Sequence, residues 1–154
     1  QPQELTEEEW DRVVNINLKG AFLPSKAVYP HMVSLGGGKI INIGSMTSVF
    51  GLDWAAPYSA TKGGVVQLAK TLAVAWAKDN IQVNTILPGW ICTDLTAAIE
   101  AKFPERHKLI SSRIPAGRWG TPDDFAGVAI FLASRASNYL TGASIPVDGG
   151  YTSF

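Results

Sequence analysis

The stretch IQVNTILPG, Ile81 to Gly89, decides the fold, because it reads as an uncharged strand closed by a Pro-Gly turn. Immediately upstream, Tyr58 to Lys78 predicts a helix. Pro57 opens it, Val65, Leu68, Ala69 and Leu72 form its apolar stripe, and Asp79-Asn80 stops it. Ahead of that lies KIINIGS, Lys39 to Ser45, a short isoleucine-rich run that predicts a buried strand after the glycines Gly36 to Gly38. A long helix is expected from about Glu7 to Val33, entered through Thr6 and Glu9 at capping-box spacing. Pro24 inside it leaves the Gly20 carbonyl without its donor, so a bend is expected between Asn17 and Pro24.

Downstream of Gly89 the chain reads as irregular until TPDDFAGVAIFLAS, where Thr121 caps a helix, Pro122 takes its first position, and Asp123 and Asp124 suit its dipole. A third strand, Ala143 to Val147, ends at Asp148-Gly149-Gly150, and Pro146 within it favours an edge position. Helix and strand therefore alternate through the chain, the pattern of a parallel sheet with right-handed crossovers. The first element is a crossover helix with no strand before it, so the expectation is an α/β, Rossmann-like doubly wound sheet whose amino-terminal βαβ half is absent. Residues 1–154 then form one domain, the carboxyl-terminal part of such a fold.

Bulk properties narrow the functional classes. Hydrophobic residues make up 46% of the chain and charged residues 17%, a composition suited to a folded globular protein. Thirteen basic and thirteen acidic residues cancel, which disfavours nucleic acid or an anionic membrane as partner and leaves a small molecule as the expected ligand. The single cysteine, Cys92, has no internal partner, and no apolar run reaches the length of a membrane span, so a reducing cytoplasm is the expected location. Cys92 itself is expected to be a partly buried bystander. His31 and His107 read as surface residues without ligand-spaced neighbours, so no metal site is expected.

Ligands of an open parallel sheet bind beyond the carboxyl ends of its strands. Ser45 lies just past the first strand, Tyr58 opens the following helix, and Pro88-Gly89 with Thr93 follow the second strand. Tyr58 and Lys62 are four residues apart, one turn along a helix face. A phenol is a poor base at neutral pH, but a neighbouring ammonium favours the phenolate. Tyr58 is thus a candidate acid/base for an alcohol or ketone, and Ser45 a candidate hydrogen-bond partner of the same oxygen. Ser48 rivals Ser45 for that place. The hydride itself needs a cofactor, because no side chain carries one. Trp54, Trp90 and Trp119 are candidates for a substrate pocket, with core packing as the alternative.

These residues resemble the short-chain dehydrogenases/reductases. The likeness runs through NINLKGAF with Asn17, IINIGS with Ser45 thirteen residues before the tyrosine, YSATK, Pro88-Gly89 followed by Thr93, and the terminal PVDGG. It implies a catalytic set of Asn17, Ser45, Tyr58 and Lys62, with Asn17 keeping a water in a proton relay to Lys62. It also implies that Tyr58, Lys62, Pro88, Gly89, Ile91 and Thr93 hold the nicotinamide end of NAD or NADP, and that the substrate is an alcohol or ketone. Homo-oligomers, dimers or tetramers, are implied through the first long helix and the Tyr58 helix, and through the last helix and strand. IPAGRWGTPDD and SATKGGVVQLAK are similar to the wording of gluconate and 2-deoxygluconate dehydrogenases, which points to sugar acids or polyols; 3-oxoacyl-carrier-protein reductases are the near competitor. The family's amino-terminal glycine-rich phosphate turn has no counterpart here, because Gly36 to Gly38 precede a strand rather than join a strand to a helix. The choice between NAD and NADP is therefore not legible, and an inert, oligomerising scaffold is the alternative to an enzyme.

Overall fold

Three strands, β1 (Gly38–Ile43), β2 (Ile81–Pro88) and β3 (Ser144–Val147), form a parallel sheet in the order β1-β2-β3. The computed structural model from which this is taken describes residues 1–153, and the side chains of all but two of them, at positions 95 and 100. β2 is central and the most buried strand. Seven of its eight residues are buried, and it meets β1 from Gly38↔Ile81 to Ile43↔Ile86 and β3 from Thr85↔Ser144 to Pro88↔Val147. β3 occupies an edge, as Pro146 requires. β1 departs from expectation. It lies at the other edge of the described sheet, most of its residues are half-buried, and Ile43 is 50% exposed. An isoleucine-rich run states that a strand wants burial, but the neighbouring strands decide whether it gets it.

The expected long amino-terminal helix forms as three consecutive segments. α1 (Glu7–Val14) begins at a capping box, with Thr6 Oγ1 accepting from the Glu9 N–H and the Glu9 carboxylate accepting from the Thr6 N–H. At Asn15–Lys19 the helix widens into a π turn, where the Gly20 N–H reaches back to the Asn15 carbonyl. α2 (Gly20–Ser34) then continues through Pro24 and Pro30. The disturbance anticipated between Asn17 and Pro24 is thus a π turn lying just ahead of the proline. Gly36 and Gly37, both at positive φ, turn the chain into β1, and Asn80 closes the turn by donating from its side chain to the Gly36 carbonyl.

α3 (Ala56–Trp76) starts one residue before Pro57 and ends in a short 3-10 turn, Ala77–Asp79. Asn80, left-handed at φ 57°, terminates it and releases the chain into β2. Ala69, Leu72 and Ala73 of α3 pack on Ile81 and Val83 of β2, with Tyr29 and Met32 of α2 and Ile40 of β1 beside them. This is the core of one sheet face. On the opposite face, Lys39 of β1 reaches Ser137 and Asn138 just beyond α6 (Ala126–Ala133), so helices cover both faces in the doubly wound manner.

The segment expected to be irregular holds two helices, α4 (Asp94–Lys102) and α5 (Pro104–Ser112), divided by Phe103-Pro104. Nine residues are too few for a helix to persist on local propensity alone. What holds these two is a second core beyond the carboxyl edge of the sheet, in which Met46, Trp90, Ile110, Ile114 and Tyr151 are buried against Ile99, Leu52, Phe50 and Trp119.

Candidate active site

The carboxyl ends of β1 and β2, the start of α3, α4 and the Pro122–Phe125 turn border a cavity of about 670 Å³. Its volume is in the range of small-molecule sites. Ser45, Tyr58, Lys62, Pro88, Gly89, Ile91 and Thr93 all line it, so seven of the eight residues singled out in the sequence meet in one place. The parallel sheet explains this convergence. Each strand delivers its following loop to the same edge, and α3 begins at that edge because it must run back along the sheet.

Each residue is fixed by a local device. Ser45 caps a 3-10 turn, Met46–Ser48, with its Oγ accepting from the Thr47 N–H at 3.1 Å. Ser48 does not line the cavity. Its hydroxyl donates to the Lys62 carbonyl at 2.8 Å and accepts from the Ser45 N–H, tying the Ser45 turn to α3. This separates the two serines: Ser45 faces the ligand space and Ser48 is the brace. Lys62 Nζ lies 5.5 Å from the centre of the Tyr58 ring and donates to the Ile43 carbonyl at 2.9 Å. Burial pulls Lys62 below the ordinary lysine value.

Asn17, the eighth candidate, is not among the lining residues. Its side-chain amide donates to Thr61 Oγ1 at 3.2 Å, and Thr61 Oγ1 donates to the Tyr58 carbonyl at 2.8 Å. Through Thr61, which is 1% exposed, the π turn is thus coupled to the first turn of α3.

The loop after β2 is held from two sides. The Gly89 N–H donates to the Val147 carbonyl, and a Cβ at Gly89 would stand 2.6 Å from Asp148 Cα, so only glycine lets the β2 and β3 ends approach this closely. Ile91 then forms a parallel bridge to Gly120, with the Gly120 N–H on the Trp90 carbonyl and the Cys92 N–H on the Gly120 carbonyl. Thr93 caps α4. Trp54 and Trp90 line the cavity, whereas Trp119 stands behind Trp90 at 5.4 Å between ring centres and donates to Ser111 Oγ. His107 stacks on Trp119 at 4.8 Å and is half-buried rather than a plain surface residue. Cys92 is exposed rather than partly buried, because the bridge at Ile91 turns the next residue outward. Sequence reasoning missed Leu52, Thr47, Thr96, Ile99 and Phe125 as lining residues, since no local signal separates them from ordinary core. Among the described residues no cluster of three or more His, Cys, Asp or Glu side chains could hold a metal ion.

The donor set suits one end of a nicotinamide dinucleotide: an ammonium and a phenol for a ribose, and the Pro88-Gly89 to Thr93 loop for a carboxamide. These residues offer no strand-glycine-helix turn for a pyrophosphate, because the positive-φ glycines Gly36 and Gly37 enter a strand.

A parallel sheet with its ligand cavity past the carboxyl edge defines a Rossmann-like α/β protein. The family model described as enoyl-(acyl carrier protein) reductase matches residues 1–152, and the chain belongs to the short-chain dehydrogenase/reductase family. It is 46% identical over 149 residues to 2-dehydro-3-deoxy-D-gluconate 5-dehydrogenase of Escherichia coli, covering 96% of this chain and 58% of that protein. Against 3-oxoacyl-(acyl-carrier-protein) reductase of Thermotoga maritima the identity is 42%, over 95% of this chain and 58% of that protein. The crystal structure of a gluconate 5-dehydrogenase from Burkholderia cenocepacia, in complex with NADP and tartrate, superposes with a TM-score of 0.96 at 40% identity, over 99% of this chain and 60% of the other. The chain thus spans little more than half the length of these relatives.

Proposed function

We propose that this chain is the catalytic, carboxyl-terminal part of a single-domain NAD(P)-dependent oxidoreductase that interconverts a secondary alcohol and a ketone on a sugar acid or polyol. The observation that carries the reading is the meeting of Ser45, Tyr58 and Lys62 with the Pro88 to Thr93 loop around one cavity. In it the phenol of Tyr58 takes the hydroxyl proton of the alcohol, or returns it to the ketone oxygen, while Ser45 hydrogen-bonds that oxygen. Lys62 stabilises the phenolate across the 5.5 Å that separates its Nζ from the ring, and the Ile43 carbonyl holds the ammonium in place. Asn17 would keep a water in a proton relay to Lys62, as the family resemblance implies, and its side-chain bond to Thr61 holds the π turn against the start of α3. The nicotinamide, when bound, supplies and accepts the hydride. Pro88, Gly89, Ile91 and Thr93 would hold its carboxamide end and Lys62 its ribose. Similarity to gluconate dehydrogenases supports a sugar acid as substrate, and the likeness to 3-oxoacyl-carrier-protein reductase keeps an acyl ketone as the competing one.

Self-association belongs to the same reading. Ile16 is 67% exposed and Val74 83%, on the π turn and α3, and Ile130 is 69% exposed on α6. Apolar surface on those elements suits contacts between copies of the chain, in a dimer or tetramer. No helix among the described residues is long and apolar enough to cross a membrane, and the cytoplasm is the proposed location.

Steady-state turnover of a protein of the relatives' full length that contains this chain, with gluconate and NAD or NADP, followed by the absorbance of the reduced nicotinamide, tests the reading. Tyr58→Phe keeps the ring beside Lys62 and removes only the proton carrier, so kcat should fall about a thousandfold, equivalent to ~4 kcal/mol. Near-normal turnover by Tyr58→Phe would remove Tyr58 from its role.

A further inference from the structure

Among the described residues that line the cavity Lys62 is the one charged side chain; the others are apolar or bear hydroxyls and backbone. A second cation stands against the rim. Trp54 lines the cavity while 41% exposed, and the Arg106 guanidinium of α5 lies over its ring, with the central carbon 4.1 Å from the ring centre and 5.0 Å from that of Phe103. The ion pairs among the described residues join the amino-terminus to Glu4 and Arg118 to Asp124, and Arg106 enters neither. Its sequence neighbour Glu105, and Asp53 beside Trp54, are exposed and form no pair with it.

Contact with two aromatic rings holds a guanidinium in place without using up its N–H donors. Those N–H groups form a fork that fits the two oxygens of a carboxylate. Among the described residues that line the cavity there is no carboxylate to oppose an entering anion. Half-burial of Arg106 and the poorly hydrated rings beneath it strengthen its pull on an anion relative to an arginine in open solvent. The same rings hold the side chain still before ligand arrives, so little rotamer freedom is lost on binding.

We propose that Arg106, set on Trp54 and Phe103, is a specificity-determining residue that receives the carboxylate of an anionic polyhydroxy acid whose reacting carbon lies beside Ser45 and Tyr58. This rests on the oxidoreductase reading for its substrate but not for its test, since binding is measured without turnover. D-gluconate and D-glucitol share a six-carbon polyol skeleton and differ in the carboxylate, so they separate charge recognition from hydroxyl recognition.

Equilibrium binding of both compounds is measured by titration calorimetry on the wild-type protein and on Arg106→Gln and Arg106→Lys, with the thermal midpoint of each variant as a check of folding. KM and kcat are read in parallel. Wild-type protein should favour gluconate. Arg106→Gln should weaken gluconate about tenfold or more, leave glucitol within about twofold, and leave kcat nearly unchanged. Arg106→Lys should recover part of the loss, because it keeps the charge but not the fork. Equal weakening of both compounds would make Arg106 a purely structural residue and overturn the proposal. So would a wild-type protein without preference for gluconate, or a Gln variant that binds gluconate normally. If the selective loss occurs while a protein of the relatives' full length that contains this chain turns over neither compound, the assignment of Arg106 stands and the oxidoreductase reading falls.

Discussion

Replacing Gly89 by alanine tests how the end of the sheet shapes the cavity. A Cβ built there would lie 2.6 Å from both Cα and Cβ of Asp148 and 3.2 Å from its carbonyl oxygen, where ordinary contact is 3.4–4 Å. The neighbour is mostly backbone, so no rotamer change relieves the clash. The β2 and β3 ends must part by about 1 Å, a strain in the range of ~1–3 kcal/mol for overpacking a fixed site. The same movement stretches the Gly89 N–H bond to Val147 and displaces the loop that carries Ile91 and Thr93 into the cavity. Misplacement of about 1 Å at a reacting centre can cost about a hundredfold in rate. Gly51→Ala is the matched control. It lies in a loop with open space around its Cβ and no positive φ, so alanine there should stabilise by ~0.4–1 kcal/mol through the unfolded chain. Urea denaturation at constant m-value, with turnover measured on the same samples, reads both effects. Equal stability changes for the two variants, or a Gly89→Ala protein of full stability and activity, would refute the view that close approach at Asp148 sets the loop.

Two further outcomes are expected. Arg118 and the Thr121 N–H bind Asp124 and hold its carboxyl well below the usual carboxylate range, so its contribution to stability is full above the unfolded value of about 4 and is lost as pH falls below it. The stability difference between wild type and Asp124→Asn, from thermal melts across pH, should therefore be largest near neutrality and shrink in acid and in salt; a difference independent of pH would show that the charge plays no part. Sedimentation velocity at micromolar concentration should show association through the exposed apolar faces around Ile16, Val74 and Ile130, and a clean monomer would count against it.

Much of the site was legible because its parts are local. The spacing of Tyr58 and Lys62, the serine just past the isoleucine-rich strand and the Pro-Gly turn after β2 are positions in a chain, and a parallel sheet carries such positions to one edge whatever fills the core. The cap of Thr6 with Glu9 was legible for the same reason, since it forms within one turn, whereas the helix expected from Thr121 opens as a 3-10 turn, Pro122–Phe125, before α6. The helices α4 and α5 were not legible. They are short, interrupted by Phe103-Pro104, and stable only through the packing of Ile99 and Ile110 around Trp90. That packing builds the outer wall of the cavity, which is why most of the unforeseen lining residues come from segments without a local signal.

By itself, then, the sequence determined the alternation of helix and strand, the edge on which the chemistry collects, and the pairing of a phenol with an ammonium, all of which follow from periodicity and short spacing. Tertiary structure alone decided the rest. It made Ser45 the cavity serine and Ser48 the brace, through the Lys62 carbonyl that Ser48 binds. It left β1 half-exposed, widened the first helix into a π turn whose Asn17 meets Thr61, and stood Arg106 on the Trp54 ring. Each of these depends on groups far apart in the chain, whose approach is set by the folding of the whole and by no local preference.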